Sequence, residues 1–147
     1  ILFFGLNMKE NKILGDQLCF SLYSVANALT RQYRPLLKDF DLTYPQFIVL
    51  LALYEEDDIS LKELGEKTLF DSGTLTPLVQ KLEAKGFLKR VSIKEDERVK
   101  KVILTDKALE IKEKVIDLPN QLRCSMHMND EELTMLRKLS LKLLEDL

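Results

Sequence analysis

Between Ser60 and Thr105 the chain passes through two short helical patterns and then two strand-like stretches bracketing Lys94–Arg98, an order that few small folds accommodate. Ser60 and Glu63 stand at capping-box spacing and start the first helix, which runs through Glu66–Phe70 to a turn. The second begins at Asp71 and Ser72. Leu75, Leu78, Val79 and Leu82 then follow the i, i+3, i+4, i+7 rule and form a buried stripe, leaving Thr74, Pro77, Gln80 and Lys81 on the other side. Gly86 closes this helix as a left-handed cap, and about fourteen residues at 1.5 Å each make roughly 21 Å of rod, a length that a DNA major groove accepts. Phe87–Ile93 and Val99–Leu104 are β-prone, share a polar tip and pair as a hairpin. The series predicts a winged helix-turn-helix over residues 43–104, with Asp71–Gly86 as its recognition helix.

A net charge of −2 argues against duplex DNA as a partner, because affinity there rests on neutralised phosphates. The distribution argues for it. Lys85, Lys89, Arg90, Lys94, Arg98, Lys100 and Lys101 face three acids, Glu95, Asp96 and Glu97, within seventeen residues, while acidic runs stand apart at Glu55–Asp58 and Asp130–Glu132. The same cluster also fits a solvated hairpin. No apolar run approaches the roughly 20 residues that span a bilayer, so a cytoplasmic protein with no membrane partner is expected. Residues 1–7 read as an upstream extension or expression remnant ahead of Met8, or as an N-terminal arm, with residues 8–147 forming one domain.

Leu14, Leu18, Leu22, Val25 and Leu29 share one face of a helix predicted from Asn11 to about Arg34, where Pro35 interrupts it. Thr43 caps a helix with Pro45 in its first turn, and Phe47–Tyr54 is apolar nearly all round, which predicts a core helix. Thr105 and Asp106 start another, predicted to run to Leu118 and break at Pro119. Asn129–Glu132 caps the last, whose Leu133, Leu136, Leu139, Leu143 and Leu144 have nothing local to cover. The expected fold is therefore mainly α with a small β-hairpin, and residues 8–40 and 105–147 supply helices for a two-fold dimer or an intramolecular bundle. A dimer sets two recognition helices about one DNA turn apart and calls for a pseudo-palindromic operator.

Cys19 lies one turn before Tyr23 and shares its side of the helix with Gly15 and Ala26, small residues that leave room beside the sulfur. Spacing alone leaves it an inert small hydrophobe or a reachable thiol. Cys124, the other cysteine, falls between the last two helices. The lone His127 has no partners at ligand spacing, so no metal, cofactor or catalytic residue is expected.

In its order of elements, in Asp71–Pro77 entering the recognition helix and in Asp96 and Arg98 at the wing, the chain resembles the MarR family of bacterial regulators. Gln17–Phe20, Gln32–Tyr33 and Leu42–Gln46 resemble its organic-hydroperoxide-sensing (OhrR) subgroup. The resemblance implies a repressor that is not an enzyme: Arg98 enters the minor groove with Asp96 steadying it, and Ser72, Thr74, Thr76, Pro77, Gln80, Lys81 and Arg90 complete the DNA-facing set. It further implies that Cys19 is oxidised by organic hydroperoxide, with Tyr33 and Tyr44 hydrogen-bonding to its sulfur across the dimer and Tyr23 a weaker participant. Cys124 is then a resolving partner in an intersubunit disulfide or an incidental thiol. The alternatives are a regulator answering a small phenolic ligand and a global thiol-switch regulator of stress or virulence genes. Outside the class stand a thiol peroxidase and a protein-binding winged helix.

Overall fold

The computed structural model describes residues 12–93 and 96–147, with side chains described except at Lys12 and residues 93–99. The expectations for residues 1–7 and Met8, and for the Asp96 and Arg98 side chains, lie outside what is described. Among the described residues the elements run α1 (Lys12–Gly15), α2 (Leu18–Lys38), α3 (Tyr44–Glu55), β1 (Ile59–Ser60), α4 (Leu61–Thr68), α5 (Ser72–Ala84), β2 (Leu88–Ile93), β3 (Asp96–Leu104), α6 (Asp106–Glu110), α7 (Lys112–Arg123) and α8 (Asp130–Glu145).

Helix starts follow the local chemistry. Ser60 accepts the Glu63 amide at 3.2 Å while Glu63 returns to the Ser60 amide at 2.7 Å, and Asn129 and Glu132 repeat the reciprocal pair at 2.9 Å each way. At the head of α3 the Gln46 side chain accepts the Thr43 amide at 3.1 Å. The recognition helix α5 ends in a Schellman pair, Phe87 N–H to the Leu82 carbonyl and Gly86 N–H to the Glu83 carbonyl, with Gly86 at φ 78°.

Two expected helix breaks are corrected. Pro35 lies inside α2 and Pro119 inside α7; the interruptions fall instead at Asp16–Gln17 and at Ile111. A proline removes one hydrogen bond to the residue four back, and here burial on both sides outweighs that loss. Tyr33 and Leu37 flank Pro35 and are buried, and Leu118 and Leu122 flank Pro119 and are buried.

The hairpin is the larger part of a three-stranded antiparallel sheet of order β1-β3-β2, because Ile59 pairs opposite Val102 and Ser60 opposite Lys101. One core runs through the molecule: α3 gives Phe47, Val49, Leu50 and Leu53, α5 gives Leu75, Val79 and Leu82, and Val102 and Val115 close it. Leu78 of the expected stripe is half-buried against this core. Within the helix-turn-helix, a Cβ on Gly65 would sit 3.3 Å from the Phe70 carbonyl and 3.6 Å from Leu75, so glycine permits the close crossing of α4 on α5.

The two ends of the chain differ from this centre. No residue of α8 is buried, and Leu136, Leu139 and Leu144 are exposed. At the other end Leu14, Leu18, Leu22 and Val25 are exposed too, whereas Leu29 rests on the core. Among the described residues no helix is long and apolar enough to cross a membrane.

Candidate functional site

The N-terminus of α5 is built by Asp71, whose carboxylate accepts the Thr74 amide at 2.9 Å and the Thr74 hydroxyl at 2.8 Å. The Thr74 hydroxyl, its amide and neighbouring backbone amides hold the Asp71 carboxyl below its ordinary pKa. Ser72, Thr74, Pro77, Gln80 and Lys81 are exposed on one side of the helix, and Thr76 is half-buried towards α4. The polar face expected from spacing is thus present, with the Thr74 proton already donated to Asp71.

Arg90 points elsewhere. Its amide bonds Glu83 Oε1 at 2.9 Å, its Nε bonds Glu83 Oε2 at 2.7 Å, and a terminal nitrogen lies 2.6 Å from the same oxygen. The side chain and then the amide of Arg90 hold the Glu83 carboxyl below its ordinary pKa. This pair braces the wing against the recognition helix.

Other basic side chains of the cluster are also neutralised within the chain. Lys85 lies 3.3 Å from Asp41, and Lys101 lies 3.2 Å from Asp58. The acidic run Glu55–Asp58 is correspondingly not a free surface patch: Lys67 meets Glu56 at 2.7 Å, and Asp57 accepts the Leu104 amide at 2.9 Å. Lys89 and Lys100 remain exposed.

Cys19 and Cys124 are both exposed, unpaired thiols. Cys19 stands in the first turn of α2 among apolar, uncovered residues, and Tyr23, one turn on, is 69% exposed. Cys124 caps the end of α7, and an ion pair from Arg123 to Asp130 spans the connection that carries it. Tyr33 and Tyr44 come together, with ring centroids 4.9 Å apart and both packed on Phe47 at 5.3 and 5.9 Å. Burial, and for Tyr33 also the neighbouring Tyr44, raises their pKa values, so both phenols keep their protons and remain donors at neutral pH. Fourteen residues of α2 separate Cys19 from Tyr33, about 21 Å at 1.5 Å per residue, so the pair does not reach the sulfur of its own chain. Tyr54, which the sequence did not single out, donates to the Ala108 carbonyl at 2.7 Å, and burial pushes its pKa up to about 12. Among the described residues no three His, Cys, Asp or Glu side chains gather as a metal site.

Residues 31–115 match the family model described as transcriptional regulator SarA/Rot. The chain is 39% identical over 142 residues to the organic hydroperoxide resistance transcriptional regulator of Bacillus subtilis strain 168, covering 94% of this chain and 97% of that protein. It belongs to the MarR/SarA family of transcriptional regulators. Another member, SarZ of Staphylococcus haemolyticus, is 44% identical over 103 residues, 70% of each chain. Among solved family structures, reduced AbfR bound to DNA matches with a TM-score of 0.76 at 33% identity, covering 96% of this chain and 99% of that one. A disulfide-formed AbfR matches at 0.64 with 34% identity, covering 92% and 98%. These relatives are regulators rather than enzymes, and the winged-helix architecture is shared throughout.

Proposed function

We propose that this family member is a homodimeric, cytoplasmic repressor that releases a pseudo-palindromic operator when an organic hydroperoxide oxidises Cys19. The observation that carries the reading is the exposed Cys19 thiol, set in the uncovered apolar face of α2 that a dimer would bury. Oxidation and subunit packing then act on one surface. The likeness to a hydroperoxide-resistance regulator over nearly the whole chain supports the choice of oxidant class.

In the proposed reaction the Cys19 thiolate attacks a peroxide oxygen, the O–O bond breaks, an alcohol leaves and the sulfur becomes a sulfenic acid. Tyr33 and Tyr44 of the partner subunit donate hydrogen bonds to the sulfur, a distance their own chain cannot span. Cys124 of the partner subunit then attacks the sulfenic sulfur, water leaves and an intersubunit disulfide forms. Ser72, Thr74, Thr76, Pro77, Gln80 and Lys81 face the major groove, Arg98 with Asp96 serves the wing, and Tyr23 borders the thiol. Arg90 acts in this scheme as a brace through Glu83.

Operator binding of the parent and of Cys19→Ser, each with and without organic hydroperoxide, tests the scheme. The parent should be released and the serine variant retained, and Cys124→Ser should abolish the covalent dimer on a non-reducing gel. Release of Cys19→Ser by peroxide would reject Cys19 as the trigger.

A further inference from the structure

The C-terminal end of the recognition helix is gripped from two sides by groups that DNA contact does not require. Lys85 follows the last residue of α5, and its ammonium turns onto the corner between α2 and α3. There it donates to the Asp41 carbonyl, lies 3.3 Å from Asp41 Oδ2 and donates to Gln46 Oε1 at 3.3 Å. Two donors of the ammonium are thus placed on the Asp41 carbonyl and Gln46, and the Asp41 carboxylate adds an ion pair, which turns the charge towards the corner.

The corner that Lys85 holds is itself tightly specified. Asp41 sits at φ 53°, a left-handed position that closes α2. Gln46 is 2% exposed, and the oxygen that takes Lys85 also takes the Thr43 amide. Tyr44, whose ring packs at a tilt against Tyr33, lies in the same first turn of α3. From the opposite side, Lys107 donates to the Lys85 carbonyl at 2.6 Å and Thr105 to the Gly86 carbonyl at 2.6 Å. Both grips close on residues 85–86, where α5 hands over to β2.

We infer that Lys85 is a positioning residue that ties the recognition helix to the Tyr33–Tyr44 corner, so that a shift of this corner re-aims the helix on DNA. The static half of the inference stands on the geometry alone; its role in release rests on the redox reading above. A lysine in the basic cluster would ordinarily be assigned to the phosphate backbone, and the two roles separate cleanly by experiment. Losing a phosphate contact lowers the slope of log affinity against log salt by about 0.9, whereas losing a brace leaves that slope unchanged.

Operator binding is measured over a salt series for the full-length parent, Lys85→Met and Asp41→Asn, before and after organic hydroperoxide, with Cys19 oxidation followed by mass spectrometry. Lys85→Met should bind the operator about tenfold more weakly in the reduced state, as expected for one charge-assisted hydrogen-bonding group removed, with the parental salt slope. Asp41→Asn tolerates the left-handed backbone and removes a negative charge, which by simple electrostatics tightens DNA binding; the brace predicts weaker binding instead. In Lys85→Met the reduced-to-oxidised affinity ratio should shrink although Cys19 oxidises fully. A salt slope lowered by about one in Lys85→Met, or parental affinity in both variants, overturns the inference. Should Lys85→Met fail to fold, Asp41→Asn decides alone. A parent that binds operator but ignores peroxide sinks the redox reading, and the salt series still decides whether Lys85 positions the helix.

Discussion

Leu139 offers a sharp test of the dimer. It is 56% exposed on α8, a helix with no buried residue, and Leu136 and Leu144 on the same helix are exposed with it. Full burial of a leucine side chain stabilises by about 1.5–3 kcal/mol, so covering the exposed half contributes about 1–1.5 kcal/mol per protomer. Two-fold symmetry applies any substitution twice. Leu139→Ser should therefore weaken the dimer by about 2–3 kcal/mol, roughly a 30- to 150-fold rise in its dissociation constant. Sedimentation equilibrium over a nanomolar-to-micromolar series measures this directly, and operator binding should shift to higher protein concentration in parallel. Leu69 supplies the control, being 68% exposed yet in the helix-turn-helix turn at φ 58°. Leu69→Asn suits that backbone and should leave dimerisation unchanged. Parental dissociation of Leu139→Ser, or equal weakening by Leu69→Asn, would refute assignment of the interface to the terminal helices.

Glu83→Gln should cost about 1 kcal/mol at pH 7 in urea unfolding, because it removes a half-buried, charge-assisted contact to Arg90. The folded state lowers the Glu83 pKa, so the pair's contribution is fully present above the ordinary value of 4.5 and is lost as pH falls through the lowered one; the deficit of the variant should shrink in acid accordingly. Asp71→Ala should destabilise the first turn of α5 and speed hydrogen exchange at the Thr74 amide, which Asp71 caps. Tyr54→Phe should lose about 1 kcal/mol of stability while keeping operator affinity, and in the parent this phenol should resist ionisation until about pH 12, its stabilising effect present below the ordinary value of 10.0 and lost as pH rises through 12.

The helix starts were legible because they are written in adjacent residues: Thr43, Ser60, Asp71, Thr105 and Asn129 all cap where spacing placed them. Gly86 was legible for the same reason. Pro35 and Pro119 misled because their cost is local while the burial that overrides it comes from α2, α3 and α7 packing together. β1 is two residues long and acquires its identity only from pairing with β3, so no periodicity announces it. Electrostatics were least legible. The cluster from Lys85 to Lys101 reads as one positive patch, yet Lys85 and Lys101 pair with acids 44 and 43 positions earlier, and only the fold brings these together.

The geometry of α2 joins these strands of argument. It is a 21-residue helix, about 30 Å long, with Cys19 at one end and, just past its other end, the Asp41 corner that Lys85 grips. Pro35 does not break α2, so the helix is continuous from Leu18 to Lys38. In the proposed switch, a disulfide that draws Cys19 towards the partner subunit's Cys124 tilts that helix as a rod, and a tilt of about 5° over about 30 Å moves the far end by about 3 Å. Shifts of one to a few ångströms at packed elements suffice for known regulatory transitions, and two recognition helices must match successive major grooves together to hold both half-sites. Thiol and tyrosine pair are about 21 Å apart within one chain, so the proposed sensor draws its tyrosines from the partner subunit. In that proposal the same rods set the spacing of the DNA-reading helices.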